Sequence, residues 1–250
     1  MRDFGIPSLL PDQLATGLPT AVYAGGPVTD PTQTLFLWRT YSLTRARGMT
    51  VGFFVWDDKL EQLWRQPEKQ TARLLAASVM AVIEPDFSLW ADAPLAEQIW
   101  NVYRTRTLGR LWQERGLSVI PNLNWSGPES FNFCFQGIPF CAPVVACECR
   151  TAGQNERDRC AFLGGLWEGI HQREPAHVLI YGGVEHESWL APQLPPGPRY
   201  TLLESWTRAR GRLRRAAERQ QRARNQLTLF PTTGEELWAD EAQAAAAVVA

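Results

Sequence analysis

The sequence predicts an α/β domain with a mainly parallel sheet flanked by helices. Two apolar runs, at 79–83 and 117–120, have the length and composition of buried strands. The stretch 94–116 between them has helical spacing, and further strand-like and helix-like runs alternate along the chain. The residues leave open whether the sheet is open or partly rolled into a barrel. Too few strands are visible for a complete eight-stranded barrel.

The remaining elements follow the same alternation. Residues 1–33 are rich in Pro and Gly and give no long element. A helix beginning near Asp57 is expected to be interrupted at Pro67, since proline suits the first turn of a new helix. The other predictions are an edge strand or hairpin partner at 34–40, strands at 51–56, 143–149 and 177–181, and a helix at about 156–172.

Charge and proline content suggest four segments in the 250 residues. A Pro-rich stretch, Pro-Gln-Leu-Pro-Pro-Gly-Pro, has the composition of a linker. The predicted segments are an α/β domain over 1–191, a linker over 192–199, an arginine-rich helix over 200–225, and a short motif with a flexible tail over 226–250.

Composition points to a cytoplasmic protein without a membrane segment. No long apolar run that could act as a signal peptide or cross a bilayer is visible. The five cysteines are odd in number and contain no Cys-x-x-Cys pair, which favours free thiols in a reducing compartment over a zinc site.

Carboxylates follow the predicted strands where each strand ends. In a parallel sheet these positions lie at one edge, where binding and catalytic sites are built. Two or three carboxylates together would act as acid and base or hold Mg²⁺ or Mn²⁺. The candidate catalytic residues are Asp57, Asp58, Glu84, Asp86 and Glu148, with Glu84 and Asp86 as the candidate metal ligands.

Polar and aromatic residues at the same edge are candidates for holding a substrate. Amides form hydrogen bonds in either direction, and a tryptophan stacks on a base or a sugar. The alternative is structural: the acids and amides cap helices, Glu148 pairs with Arg150, and the tryptophans belong to the core. The candidate substrate-binding residues are Asn122, Asn124, Trp125 and Arg150.

Four runs in this region, EPDFSLW, QIWNVYRTRTLGRLWQERG, VIPNLNW and FCFQGIP, resemble an uncharacterised family, the domain of unknown function numbered 4417. The similarity covers about residues 45 to 185. Members of that family occur in phages, plasmids and integrated elements, so the resemblance implies a mobile-element protein that deals with DNA or host functions. It implies no reaction and no catalytic residue.

A second feature of the chain is a stripe of arginines in the C-terminal helix. Residues 207–225 contain eight Arg and one acid, Glu218. Five of the arginines recur at steps of four and three residues, so they share one helix face of roughly 21 Å. Such a face suits phosphate contacts along DNA, whereas a solvated helix usually mixes charge signs. This arginine stripe consists of Arg208, Arg212, Arg215, Arg219 and Arg222.

Directly after the stripe comes the pentapeptide Gln226-Leu227-Thr228-Leu229-Phe230, followed by proline. It resembles the peptide with which bacterial proteins bind the sliding clamp. In an extended segment, Leu229 and Phe230 would enter an apolar pocket while Gln226 forms a hydrogen bond at its rim. The alternative is that the two apolar residues pack on the protein's own domain.

The leading hypothesis is therefore a mobile-element protein that acts on DNA in replication or processing. Its partners would be DNA, through the arginine stripe, and the sliding clamp, through the pentapeptide. Metal-dependent phosphodiester or nucleotidyl chemistry at the carboxylates would be a further step. Two alternatives are a small-molecule enzyme with a nucleotide or carbohydrate substrate and a non-catalytic module that regulates replication.

Overall fold

The structure is a computed structural model, which describes residues 3–16, 36–38 and 43–229. Seven strands lie in these ranges, and all pair in parallel. They form a four-stranded sheet in the order β1-β2-β3-β4 and a three-stranded sheet in the order β5-β6-β7. The strands are β1 (Phe36–Leu37), β2 (Thr50–Gly52), β3 (Ala81–Ile83), β4 (Val119–Ile120), β5 (Val145–Glu148), β6 (His177–Tyr181) and β7 (Arg199–Leu203).

Helices occupy the connections between the strands, as expected for parallel pairs. Pro67 begins a separate second helix, as the sequence predicts. The long helix between β3 and β4 also agrees with its predicted range. The helices are α1 (Asp57–Arg65), α2 (Pro67–Ala76), α3 (Leu95–Glu114), α4 (Glu156–Arg173), α5 (Glu187–Leu190) and α6 (Trp206–Leu229).

The two sheets meet at the end of β4. Leu14 bridges to Val119 on the free edge of β4, and three residues later Asn122 bridges to Ala146 in β5. Leu123 N–H donates to Ala146 O at 2.7 Å, and Ala146 N–H donates to Pro121 O at 2.9 Å. The N-terminal segment therefore takes the place of β5 beside the first half of β4, and the sheets join only at their carboxyl ends.

The combined sheet curls strongly. Phe54, just beyond β2, stacks on Tyr181 at the end of β6, with ring centroids 4.8 Å apart and planes 7° apart. In a flat sheet these strands would be roughly 19 Å apart, at about 4.8 Å per strand. Among the described residues β1 pairs only with β2 and β7 only with β6, so the barrel is partial and not closed. The predicted fold class is confirmed.

The prediction for the chain after residue 191 is wrong in one respect. Residues 199–203, taken from the sequence as the end of a linker and the start of a helix, form β7 and pair along β6. Compact packing accordingly continues to Ser205, and a second unit begins at Trp206. Only α6 then corresponds to the predicted arginine-rich helix. Within the predicted edge strand or hairpin partner at 34–40, the described residues 36–37 form β1 and pair in parallel with β2.

Candidate functional site

A buried ion pair closes the carboxyl end of β3. Glu84 follows β3 directly, and Arg106 reaches it from the middle of α3; the two residues are 0% and 1% exposed. Arg106 Nη1 donates to Glu84 Oε2, which also accepts from the backbone N–H of Asn122 at 3.0 Å. Burial raises the pKa of Glu84 above its usual value, although Arg106 acts in the opposite direction. A buried pair of this kind tolerates the loss of one partner poorly.

The remaining donors of Arg106 bind backbone carbonyls. Nε donates to Gln136 O and Nη2 to Asn122 O, both at 3.0 Å. The guanidinium therefore ties α3 to the end of β4 and to the loop after it. Glu84 was predicted as a catalytic residue and metal ligand. In the structure it binds Arg106 of α3 and the backbone of Asn122 at the end of β4.

Gly109 explains how α3 approaches β3 so closely. Although glycine lowers helix stability by roughly 1 kcal/mol relative to alanine, a Cβ at Gly109 would overlap the Glu84 carboxylate. Glycine at this position therefore lowers the intrinsic stability of α3 but leaves space for the Glu84 carboxylate.

The edge of the sheet where Asp57, Asp86 and Glu148 lie is called the carboxylate edge. Asp86 lies at its centre. Asn122 Nδ2 donates to Asp86 Oδ1 at 2.8 Å, which connects the ends of β3 and β4. Burial raises the pKa of Asp86 to about 7, and the nearby charges of Glu148 and Asp57 act in the same direction, whereas Arg150 lowers it. The predicted convergence of these residues on one edge is thus present around Asp86. A carboxyl group with this pKa exchanges a proton near neutral pH.

Glu148 and Arg150 form a local pair at the end of β5. Both the backbone N–H and Nε of Arg150 donate to Glu148 Oε1 at 2.6 Å. The Arg150 guanidinium lies over the Tyr181 ring, 5.4 Å from its centroid. This pair is the structural alternative that the sequence left open, and it still leaves Glu148 Oε2 outside the contact.

Asp57 and Asp58 lie differently although they are adjacent. Asp57 accepts from Ser88 Oγ at 3.1 Å and from Ser88 N–H at 3.3 Å, which connects the start of α1 to the loop after β3. Burial raises the pKa of Asp57, and these hydrogen bonds lower it. Asp58 is exposed in the first turn of α1. Of these two acids, Asp57 belongs to the carboxylate edge and Asp58 does not.

Asn124 and Trp125 contribute mainly to packing. Asn124 Nδ2 donates to Phe87 O at 2.8 Å. Trp125 packs on Phe162, with ring centroids 5.4 Å apart, and against Gly165 of α4, where a Cβ would overlap the indole. A small cavity next to Asn122 is lined by Asn124, Phe87 and Leu89, so it opens among the residues that follow β3 and β4.

Several residues of this region were missed from the sequence. Helix α3 buries a polar face that binds the loops after the strands: Asn101 Nδ2 donates to Ser88 O at 2.8 Å, and Arg104 Nη2 donates to Asn101 Oδ1 at 2.5 Å. Arg104 also lies over the Phe87 ring, 3.9 Å from its centroid. Asn101, Arg104 and Thr105 follow helical spacing, and this polar periodicity was the available signal.

The predicted Mg²⁺ or Mn²⁺ site remains a prediction. In the ranges that the structure describes, no three His, Cys, Asp or Glu side chains are grouped so that they could hold a metal ion. All five cysteines are free thiols. Burial raises the pKa of Cys149 to about 12, and burial likewise raises that of Cys147, so neither thiol is activated as a thiolate.

The arginine stripe lies on α6. All five of its residues are exposed. Glu218 Oε1 lies 3.4 Å from Nε of Arg214, which is not part of the stripe. The sequence prediction of an extended pentapeptide is corrected in part: α6 continues through Leu229, so four of its five residues are helical. Phe230 lies outside the described residues.

The fold and the carboxylate edge define the class of protein: a parallel α/β domain with carboxylates at one edge of its sheet, followed by a basic helix. A family model described as "Domain of unknown function (DUF4417)" matches residues 29–191, and the chain belongs to that family. The resemblance noted from the sequence is thereby confirmed, over a longer range.

Two curated phage proteins are also similar. Over 164 residues the chain is 37% identical to the Gene 1 protein of Mycobacterium phage D29, covering 65% of this chain and 58% of that protein. It is 37% identical over 167 residues to the Gene 1 protein of Mycobacterium phage L5, covering 66% and 72% of the two chains. The chain thus spans less than two thirds of the D29 protein. No solved structure matches the chain.

The relatives place the chain among proteins of mobile elements, in a family whose description names no reaction. Among the helices of the described ranges, none has the length and apolar character needed to span a bilayer.

Proposed function

We propose that the protein associates with DNA in the replication or processing of a mobile element, and that α6 is the DNA contact. The observation that carries this proposal is the arginine stripe. It presents five exposed cations along one helix face, and the acid in this part of the helix lies beside Arg214 instead of on the stripe. Such a face binds phosphates through charge and releases counterions, without reading base sequence.

Two further observations support a DNA partner. The chain as a whole carries a net charge of −1, so the positive charge is confined to one segment and is not a property of the composition. The relatives come from phages, and a mobile-element context agrees with a partner of negative charge such as DNA.

The test is DNA binding by the full-length protein over a series of salt concentrations. Replacing the five stripe arginines by glutamine, a residue of similar helix propensity, is expected to make the DNA affinity less sensitive to salt. The slope of log K against log salt concentration should fall in magnitude by about 0.9 for each phosphate that the helix no longer neutralises. The matched control replaces the same five residues by lysine, which keeps the charge. Equal DNA affinity of the glutamine and lysine variants would contradict the proposal.

Recruitment to the sliding clamp is the finer part of this proposal. Gln226, Leu227, Leu229 and Phe230 supply the residue types of a clamp-binding peptide directly after the arginine stripe. Linking two modest contacts in this way raises the effective concentration of the protein on replicating DNA. Because α6 runs through Leu229, binding in an extended form requires its last turn to unwind.

A second candidate is an enzyme or sensor that takes a nucleotide at the carboxylate edge. The observation in its favour is the position of Asp86, a proton-exchanging carboxyl group connected to Asn122 at the ends of two parallel strands. The glutamine variant of the arginine stripe separates the two candidates. If that variant no longer binds DNA but still supports the mobile element as the wild type does, the nucleotide site is favoured over DNA association.

A further inference from the structure

The second half of the arginine stripe has no acid to balance it on its own helix. Arg215, Arg219 and Arg222 are exposed on α6, and within the described residues none of the three forms an ion pair. Glu218 lies beside Arg214, which is outside the stripe. Like charges three and four residues apart on a helix repel each other. This part of the stripe therefore favours a partner that carries several negative charges.

Such a partner is present in the same chain. Residues 235–241, here called the acidic segment, have the sequence Glu-Glu-Leu-Trp-Ala-Asp-Glu and so hold four acids and no basic residue. No Lys or Arg occurs anywhere in residues 225–250. The acidic segment lies outside the described residues, so the sequence is the source for its charge and its reach. Its charge is complementary to that of the stripe.

The length of chain between the two allows them to meet. α6 ends at Leu229, and six residues from there to Glu235 can span up to roughly 20 Å. Arg222 lies seven residues before Leu229, which is about 10 Å along the helix. Residues 230–234 include a proline and a glycine, a composition typical of a turn. The acidic segment can therefore return along α6.

The acidic segment also has the length to cover this part of the stripe. Its first and last acids are six residues apart, which is at least about 9 Å even at the helical rise. Arg215 and Arg222 are about 10 Å apart along α6. Several acids can thus contact several arginines at the same time.

We propose that the acidic segment binds the arginine stripe of its own chain at Arg215, Arg219 and Arg222, and competes there with DNA phosphates. That DNA is the competitor rests on the proposed function, whereas the contact itself does not. A short linker gives the segment an effective concentration of about a millimolar. Each exposed ion pair is weak, so a phosphate backbone can displace the segment. Recruitment through the pentapeptide would supply the high local DNA concentration that displacement requires.

The first experiment detects the contact without DNA. It uses the full-length variant with lysine at the five stripe positions, because a carbodiimide joins a lysine amine to a neighbouring carboxyl group as an amide, with loss of water. The natural chain contains two lysines, Lys59 and Lys69, so the new ones are readily identified. Mass spectrometry of the monomer should find stripe peptides joined to residues 235–241, less so at high salt. Crosslinks to Glu218, on the same helix, show that the reagent has worked.

Absence of crosslinks to the acidic segment, while those to Glu218 form, would overturn the proposal. Crosslinks found in dimers and not in the monomer would also overturn it, because the segment would then bind the stripe of a second copy.

The second experiment measures DNA affinity after the acidic segment is neutralised. The variant replaces its four acids by their amides: Glu235→Gln, Glu236→Gln, Asp240→Asn and Glu241→Gln. DNA affinity should rise by roughly tenfold at low salt, since each exposed ion pair contributes a factor of about 1.4 to 5. The gain should shrink as the salt concentration rises.

The matched control changes the net charge by the same amount at four exposed acids outside the α6 unit. Its substitutions are Asp92→Asn, Glu97→Gln, Glu129→Gln and Glu187→Gln. An equal gain in the two variants would overturn the proposal, because the effect would then come from net charge alone. Neutralising the acidic segment in the glutamine variant of the stripe should give no gain beyond this control.

The two experiments separate this contact from the proposed function. If the crosslinks form but the glutamine and lysine variants of the stripe bind DNA equally, the role of α6 in DNA binding fails and the contact stands. If the stripe is needed for DNA binding but the crosslinks do not form, the role of α6 stands and the contact is overturned.

Discussion

Glu84 and Gly109 are in direct contact across the packing of β3 against α3. The Glu84 carboxylate occupies the space where any other residue at 109 would place its Cβ. The same carboxylate binds Arg106 and the backbone of Asn122. One glycine therefore determines whether the acid, the helix and the end of β4 can be held together.

Gly109→Ala should destabilise the protein by about 1–3 kcal/mol, as expected for overpacking in a core. The added methyl group displaces the Glu84 carboxylate, and this outweighs the gain in helix propensity. Unfolding in urea measures the change. The control is Gly164→Ala in α4, where a Cβ meets nothing within 4 Å; that change should stabilise the protein by up to about 1 kcal/mol. Equal effects at both glycines would contradict the close contact.

Arg106→Met should cost roughly 3–5 kcal/mol of folding free energy, because it leaves the buried Glu84 carboxyl without its charged partner. Adding Glu84→Gln should recover a large part of that loss, which a double-mutant cycle detects. The comparison is Arg110→Met, one turn further along α3. Arg110 binds Glu114 at 2.9 Å on the surface, so its loss should cost below about 1 kcal/mol. Strict additivity of the two buried changes would argue against the pair.

Asp86 makes stability depend on pH. Its folded-state pKa is raised from 3.8 to about 7, so the folded protein holds this proton more tightly than the unfolded chain. The stabilising contribution is fully present below the unfolded pKa and is lost as pH rises through about 7. Relative to wild type, Asp86→Asn should therefore gain roughly 2–4 kcal/mol between about pH 4 and pH 8.

Urea unfolding at several pH values measures this difference, with Asp92→Asn as the control. Glu84, whose pKa is raised in the same direction, is unchanged in both variants and cancels from the comparison. A difference between Asp86→Asn and wild type that stays constant with pH would show that Asp86 is not perturbed.

Leu229→Ala together with Phe230→Ala should abolish binding of the full-length protein to purified bacterial sliding clamp. These two apolar side chains would fill the clamp pocket, and such anchors carry most of a peptide's affinity. Surface plasmon resonance on immobilised clamp measures the loss. Thr228→Ser retains the hydroxyl at the central position and should bind like wild type. Absence of binding by the wild-type protein would reduce the pentapeptide to a chance match and leave the arginine stripe as the feature that favours DNA.

Much of the fold was predictable from short-range patterns. Apolar runs flanked by helical segments identified β3, α3 and β4 to within a few residues, and the polar residues after them were correctly expected at one edge. This follows because burial in a parallel sheet demands continuous apolar runs, and parallel strands bring their carboxyl ends together. β7 was missed because its residues follow a Pro-rich stretch and most of them are only partly buried, so they form no continuous apolar run.

What the sequence by itself determined was the class of the fold, the edge that carries the polar groups, and the arginine stripe. Each depends on spacing along one segment. Only the tertiary structure decided the role of each acid. It enclosed Glu84 with Arg106, held Asp57 against Ser88, left Asp58 in solvent and placed Asp86 beside Asn122. Desolvation and pairing arise from residues distant in the chain, and these two effects determine whether a carboxylate is structural or available to a ligand.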